Sequence, residues 1–459
     1  MRTVPLPAGF RLEPDDGTRP IGAGGWFGRR SSRIMRLTEP GRAAWRELRA
    51  GPVASRAAGL LARRLTDAGL FHPVPPPSVQ RADVTVIVPT KDRATLLAQC
   101  LVGQGDRYPV VVVDDGSDDP EAIAAVADRH GAKLVRRRVN GGPGAARNSG
   151  LDVVDSEFVA FLDNDCLPAV DWITALLPHF ADPLVAAAAP RMIGIAPSTW
   201  AGRYTSARCA LDLGARPARV AQGRSVPYVP TAALVVRRAA LPPSAFDPAL
   251  RVGEDVDLIW RLCSSGWRIR YVPTVSVPHQ EPRTWRGILA RRFRYGTSVG
   301  PLARRHPGAV PPLVTSAWVA VAAAALLAGQ PSPALAALTC HAATAVRGLR
   351  TAGLPWWATA RGTGDSIALA WQGIGRYGTQ FAAPALLALA AARGDPVRRW
   401  TAVSLLLGPP LVSWARGRPR LDPIRYLLGH LADDVAYGLG VLSGCARNAT
   451  VAPLCPVIT

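Results

Sequence analysis

Val84-Thr85-Val86-Ile87-Val88 runs straight into Pro89-Thr90-Lys91-Asp92-Arg93, and the reading of this stretch decides the fold. An unbroken β-branched run with no polar alternation describes a strand buried on both faces, as in a parallel sheet. The polar turn behind it opens a helix expected over Asp92–Val102. The same unit recurs downstream. Val110–Val113 ends in Asp114-Asp115-Gly116-Ser117 and is followed by a helix over Asp119–His130. Lys133–Arg136 is a third strand, leading to Asn140-Gly141-Gly142-Pro143-Gly144 and a helix over Gly144–Val153. Phe158–Leu162 is a fourth, ending in Asp163-Asn164-Asp165. Strands alternating with amphipathic helices predict an α/β fold, a mostly parallel sheet with helices on both faces. Ligands of such sheets bind beyond the carboxyl ends of the strands.

Those strand ends carry the chemistry. Asp163 and Asp165, two residues apart after an apolar strand, can direct both carboxylates at one hard divalent cation, Mg²⁺ or Mn²⁺, or can form an Asx turn without metal. Asp114-Asp115 reads as an acceptor for nucleobase N–H groups, or as an acidic turn with Asp118 or Asp119 capping the next helix. Gly141, Gly142 and Gly144 permit close approach of a phosphate, and Arg147 offers it a charge-assisted contact. Farther on, Tyr228–Val236 looks like another strand. Gly253-Glu254-Asp255-Val256-Asp257 then opens a helix with three carboxylates in its first turn. Asp257 suits an i,i+4 pair with Arg261. Glu254 and Asp255 could instead place a general base before an acceptor hydroxyl. His279 ends the region.

Val86-Ile87-Val88-Pro89, Asp114-Asp115-Gly116-Ser117, Gly144-Ala145-Ala146-Arg147-Asn148, Phe161-Leu162-Asp163-Asn164-Asp165 and Gly253-Glu254-Asp255-Val256-Asp257-Leu258, followed by Arg261-Leu262, together resemble the family 2 glycosyltransferases of GT-A fold. The likeness spans about residues 83 to 281. It implies that Asp115 contacts the uracil of a UDP-sugar donor and Asp163 its ribose, with Pro89, Thr90 and Asp92 lining the donor site and Arg147 beside the diphosphate. Asp165 would coordinate the metal. His279 would add a metal or diphosphate contact, or is an ordinary strand-end histidine. Asp255 would be the catalytic base of a single inverting displacement, with Glu254 and Trp260 on the acceptor side.

The chain has 459 residues, 48% hydrophobic and 19% charged, which excludes global disorder. Its net charge of +21 is almost entirely arginine, with Lys91 and Lys133 the only lysines. That excess reads either as genome composition or as attraction for anions. Carboxylates rather than arginines crowd the strand ends, so a nucleic-acid partner is not expected. The seven cysteines are scattered and show no Cys-x-x-Cys, which argues against a disulfide framework or a zinc cluster. Met1–Phe10 contains no apolar run of the kind an export signal needs, and the active site is expected on the cytoplasmic side.

Three domains are expected: a small module over 1–78 ending in a Pro-rich linker, the catalytic domain over 82–300, and an apolar helical region over 307–459. In the first, Ala23–Gly28 and Ile34–Leu37 suggest a strand pair, Thr38 a helix cap, and Ala57–Ala68 a second helix. This resembles the winged-helix peptide-recognition modules that accompany enzymes modifying ribosomal peptides, and reads equally as a structural extension. Arg291–Gly296 reads as a solvated basic face or a membrane-surface helix. Pro307–Val346 holds no Asp, Glu, Lys or Arg over 40 residues and is divided near Gly329-Gln330-Pro331. With Thr379–Ala392, Trp400–Ala415 and Trp318, Trp356, Trp357, Trp371, Trp400 and Trp414, it reads as a membrane attachment or a buried helical domain.

The combination resembles the subfamily that serves the mycofactocin system. The resemblance implies glucose transfer from UDP-glucose to a small peptide-derived redox-cofactor precursor, with growth of a β-linked oligosaccharide. The competing expectations are a membrane-associated transferase acting on a polyprenyl phosphate or cell-envelope glycan, and a basic non-enzymatic scaffold.

Overall fold

The computed structural model describes residues 4–29, 31, 33–77, 82–351 and 356–459. They form two compact units, one of residues 1–195 with 209–280 and the other of 196–208 with 281–459.

The first unit begins with a small module. Strand β1 (Arg11–Pro14) pairs antiparallel with β5 (Phe71–Val74). Strands β2 (Thr18–Pro20), β3 (Gly25–Gly28) and β4 (Arg33–Arg36) form an antiparallel sheet in that order. Helices α1 (Glu39–Ala50) and α2 (Arg56–Asp67) complete it. Trp26, Trp45 and Phe71 meet edge to face, with ring centroids 4.5, 5.5 and 5.3 Å apart, among Leu61, Leu65 and Leu70. Thr38 occupies the cap position of α1 without a side-chain bond, whereas Ser55 Oγ accepts from Ala58 N and caps α2. The Ala23 side chain and the end of the expected linker, 78–81, lie outside the described residues.

The larger sheet contains β6 (Val84–Thr90), β7 (Val110–Asp115), β8 (Lys133–Arg137), β9 (Phe158–Leu162), β10 (Val185–Ile195), β11 (Ala218–Val220), β12 (Ala233–Arg237) and β13 (Arg268–Gln280). Their spatial order is β11-β13-β10-β12-β9-β6-β7-β8. The stretch β9-β6-β7-β8 is parallel, as is β10 with β13, while β12 runs antiparallel between β9 and β10. The crossover helices are α3 (Ala94–Gln104), α4 (Pro120–Arg129) and α5 (Pro143–Leu151), with α6 (Trp172–Leu176) after β9. Val86, Val88, Val112, Ala160 and Leu162 lie fully buried among Leu97, Leu101 and Ile123 of the helices. The strand expected from Tyr228 forms only from Ala233, because Pro227 and Pro230 lack the N–H that a ladder needs.

The second unit is helical: α7 (Trp200–Ala207), α9 (Trp285–Thr297), α10 (Val299–Arg305), α11 (Ala317–Leu327), α12 (Pro331–Thr351), α13 (Trp356–Phe381), α14 (Ala383–Ala391), α15 (Pro396–Gly417) and α16 (Pro423–Arg447). The basic-aromatic stretch Arg291–Gly296 lies in α9, inside this unit rather than at the end of the catalytic sheet. Gly296 and Gly300 face Gly440 and Gly444 of α16 so closely that a Cβ on any of them would strike opposing backbone. This is the small-residue spacing that lets helices approach to van der Waals contact. Arg292 grips Asp433 of α16 through both guanidinium edges, at 2.6 and 2.7 Å. The uncharged run breaks between α11 and α12, where the Gly-Gln-Pro was expected to divide it. No described helix is long and apolar enough to cross a membrane. Trp318, Trp356 and Trp400 are exposed, and the Trp357 side chain lies outside the described residues.

Candidate active site

Four polar turns meet at the carboxyl ends of β6, β7, β8 and β9. The first is strained: Asp92 and Arg93 both adopt left-handed backbone, with φ of 55° and 60°. Asp92 fastens it to the second turn, accepting from Asp118 N at 2.8 Å and donating its own N–H to Ser117 Oγ at 2.7 Å. Thr90 is buried and ties the first turn to the fourth, its hydroxyl accepting from Asn164 Nδ2 at 2.7 Å. Pro89 precedes it within the strand.

Asp115 organises the glycine loop. Its Oδ1 accepts from Arg137 Nε at 2.8 Å and Gly141 N at 2.9 Å, and its Oδ2 from Gly142 N at 2.7 Å. Gly142 starts α5 with φ of +88°, a conformation that favours glycine. Arg251 clamps the same loop from the other side through Asn140 O and Oδ1, both at 3.1 Å. Nothing in the sequence spacing announced Arg251.

The Glu254 helix, α8 (Glu254–Ser264), reaches the fourth turn through one buried guanidinium. Arg147 Nη2 donates to Asp163 Oδ1 at 2.6 Å, and its Nη1 donates to Glu254 Oε1 at 2.8 Å. Glu254, 107 positions along the chain from Arg147, is thereby held on the same arginine as Asp163. Asp255, beside Glu254, accepts from Val256 N at 2.8 Å. Burial and the neighbouring Asp255 push the Glu254 carboxyl up to about 7, against the pull of Arg147. Burial likewise raises Asp255, with Asp163 adding to it and Arg147 opposing. The same carboxylates hold the Arg147 guanidinium well above its ordinary value despite burial.

Asp165 meets two further basic side chains. Its carboxylate meets Arg93 Nη1 at 3.2 Å and His279 Nε2 at 3.3 Å. The end of β13 is sewn to this turn by Gln280 N donating to Asp165 O at 2.9 Å. Cys209 also brings its thiol within 4.8 Å of a His279 ring nitrogen, a neighbour no spacing predicted. Trp260 corrects the acceptor-side expectation: it is buried in α8 and its indole N–H is spent on Pro227 O at 2.8 Å, a packing position. Asp257 is fully buried and pairs with Arg261 at 2.8 Å, as the i,i+4 spacing implied.

A doubly wound sheet whose strand ends gather paired carboxylates, a glycine loop and a carboxylate-headed helix defines an enzyme of the sugar-transferring class. The sequence profile described as Glycosyl transferase family 2 matches residues 85–241. The chain is 35% identical, over the full length of both chains, to the pre-mycofactocin glycosyltransferase of Mycobacterium tuberculosis. It therefore belongs to that family of glycosyltransferases, within family 2. Succinoglycan biosynthesis protein ExoW of Rhizobium meliloti is 41% identical over 98 residues, 18% of this chain and 30% of that one. The mannosyltransferase PcManGT from Pyrobaculum calidifontis, solved in complex with GDP-Man and Mn²⁺, is similar at 22% identity and a TM-score of 0.47, covering 82% of this chain and 89% of that chain.

Proposed function

We propose that this chain transfers glucose from UDP-glucose, with inversion, to a small peptide-derived redox-cofactor precursor of the mycofactocin type, extending a β-linked oligosaccharide. The observation that carries the reading is the Arg147 bridge, which brings the Asp163 turn and the Glu254-Asp255 helix start to one place. The pre-mycofactocin relative supports the acceptor.

Asp255 takes the proton of the acceptor hydroxyl as that oxygen forms its bond to the anomeric carbon. The bond from that carbon to the UDP oxygen breaks, and UDP leaves with the electron pair. A raised carboxylate affinity for protons suits a base working near neutrality. Arg147 holds Glu254 and Asp163 in place, and the Asp115-held loop aligns the nucleotide. Asp165 and His279 fit two ligand positions of a divalent cation, Mg²⁺ or Mn²⁺. Asp165 Oδ1 and His279 Nε2 stand 3.3 Å apart, close to the separation of about 3 Å between two ligands of one small ion. When bound, such a cation offsets the charge of the departing diphosphate.

The N-terminal module is proposed to present the peptide portion of the acceptor. The exposed Trp318, Trp356 and Trp400, the last with Arg399 stacked on its ring at 5.4 Å, support peripheral contact with the cytoplasmic face of a membrane. Incubation with labelled UDP-glucose and either a peptide-derived precursor or a polyprenyl phosphate tests the acceptor. A mass increase of one or more hexoses on the peptide-derived compound is expected, and label only on the lipid would reverse the reading. UDP binding measured with and without Mn²⁺ tests the metal. Equal affinities would remove it.

A further inference from the structure

The face of the N-terminal module that packs on the catalytic sheet within the first unit carries a cluster of ion pairs. Arg63, fully buried on α2, takes both oxygens of Asp182, each at 2.7 Å. Arg268 takes both oxygens of Asp67, at 3.1 and 2.7 Å. Each carboxylate thus has one bidentate arginine. Three more arginines crowd the same place with only remnants to hold. Arg219 Nη1 reaches Asp67 O and Oδ1 at 3.2 Å, and Arg224 Nη2 reaches Asp67 O at 3.4 Å. Arg270, 5% exposed, comes no closer than 3.9 Å to Asp182.

Arg219 and Arg270 are direct partners across the antiparallel β11–β13 pair, where like charges repel. Arg219 Nε and Arg270 Nη2 are buried with no hydrogen-bond partner. Native interiors rarely leave such donors unfilled, and unpaired buried charge is costly. The strain shows in proton affinity. Burial, with Arg63 and Arg219 adding to it, pulls Arg270 down to about 10 against the attraction of Asp182 and Asp67. Burial and the like charges of Arg33 and Arg219 lower Arg224 as well. His179 is depressed to about 4 by burial and by Arg270, so it adds no charge at neutral pH. The cluster opens to solvent on one side, where Arg219 is 27% exposed and Arg33 of β4 is exposed.

We propose that this joint is a binding site for an oxyanion, a phosphate- or carboxylate-bearing ligand held by Arg270, Arg219 and Arg224 with Arg33 at the rim. The site stands independently of glycosyl transfer, since none of its residues belongs to the turns that hold the proposed sugar donor. An anion there completes the pairing and fastens the module to the sheet.

Thermal unfolding of the full chain in sodium phosphate, against sodium chloride at matched ionic strength, tests it. Saturating phosphate is expected to raise Tm by about 5 °C. The rise should vanish in Arg270→Met and shrink at least threefold in Arg224→Ala, whose partly exposed side chain leaves folding intact should Arg270→Met misfold. Phosphate bound at the diphosphate site would stabilise Arg224→Ala as much as the unaltered chain, and that result, or no rise at all, overturns the proposal. Anisotropy of a fluorescent hexaglutamate peptide separates the sources. Displacement of bound peptide by inorganic phosphate, lost in Arg224→Ala, names a free oxyanion. Peptide binding that phosphate cannot displace but Arg224→Ala abolishes names an acidic chain.

Discussion

Around Arg147, three carboxylates crowd one guanidinium; around Asp67 and Asp182, five arginines crowd two carboxylates. Both clusters lie in the first unit and are largely buried, and they are out of balance in opposite directions. In the first, the surplus negative charge stands at strand ends open to a ligand, and the raised Glu254 and Asp255 record it. In the second, the surplus positive charge gathers at the joint between the module and the sheet, and the lowered Arg270 records it. A fold that keeps unpaired charge out of water does so where something of the other sign belongs. The sign of the surplus then names the class of missing partner.

The comparison breaks first at Asp255. Asp255→Asn is expected to lower kcat by about 10³-fold while leaving the affinity for UDP unchanged, checked by initial rates and by calorimetry. Undiminished turnover would move the base to Glu254, the carboxylate next to it at the start of α8.

It is sharpened next at the second cluster. Asp182→Ala strands Arg63 without its bidentate partner in a fully buried place. Removing one member of such a pair costs about 3–5 kcal/mol of stability, readable as a lower urea midpoint. The double variant Arg63→Met with Asp182→Leu should recover most of that loss, because an apolar pair of similar volume needs no desolvation. If the double variant is as unstable as the single, the charges are there for geometry and not merely to neutralise each other.

The two regions were unequally legible. The strands of the catalytic sheet could be read because runs such as Val84–Val88 and Phe158–Leu162 carry their burial in their own composition. Their lining residues followed, since ligands meet such sheets at the strand ends. The antiparallel course of β12 could not be read, because an apolar run carries no direction. The Arg147–Glu254 bond joins residues 107 apart and the Arg63–Asp182 bond residues 119 apart. Such pairs exist only once the chain has folded, so no local pattern signals them. Trp260 misled because an aromatic residue five positions after Asp255 looks the same in sequence whether it faces a ligand or a core. The glycine pairs of α9, α10 and α16 hid within an Ala/Gly-rich background.

The smallest expected effect is the most diagnostic of how the first cluster handles its surplus. Glu254 binds its proton more tightly when folded, at about 7 against 4.5 unfolded. Between those values the folded chain holds more proton than the unfolded one. Its contribution is therefore full below about 4.5 and lost as pH rises through about 7. Glu254→Gln stays neutral throughout and cannot show that loss. Urea unfolding at pH 5, 6, 7 and 8 should find the unaltered chain losing stability relative to Glu254→Gln across the interval, most steeply between 5 and 7. Parallel curves would mean that Arg147 already neutralises Glu254, which would leave Asp255 with an ionised neighbour and weaken the case for surplus charge at the strand ends.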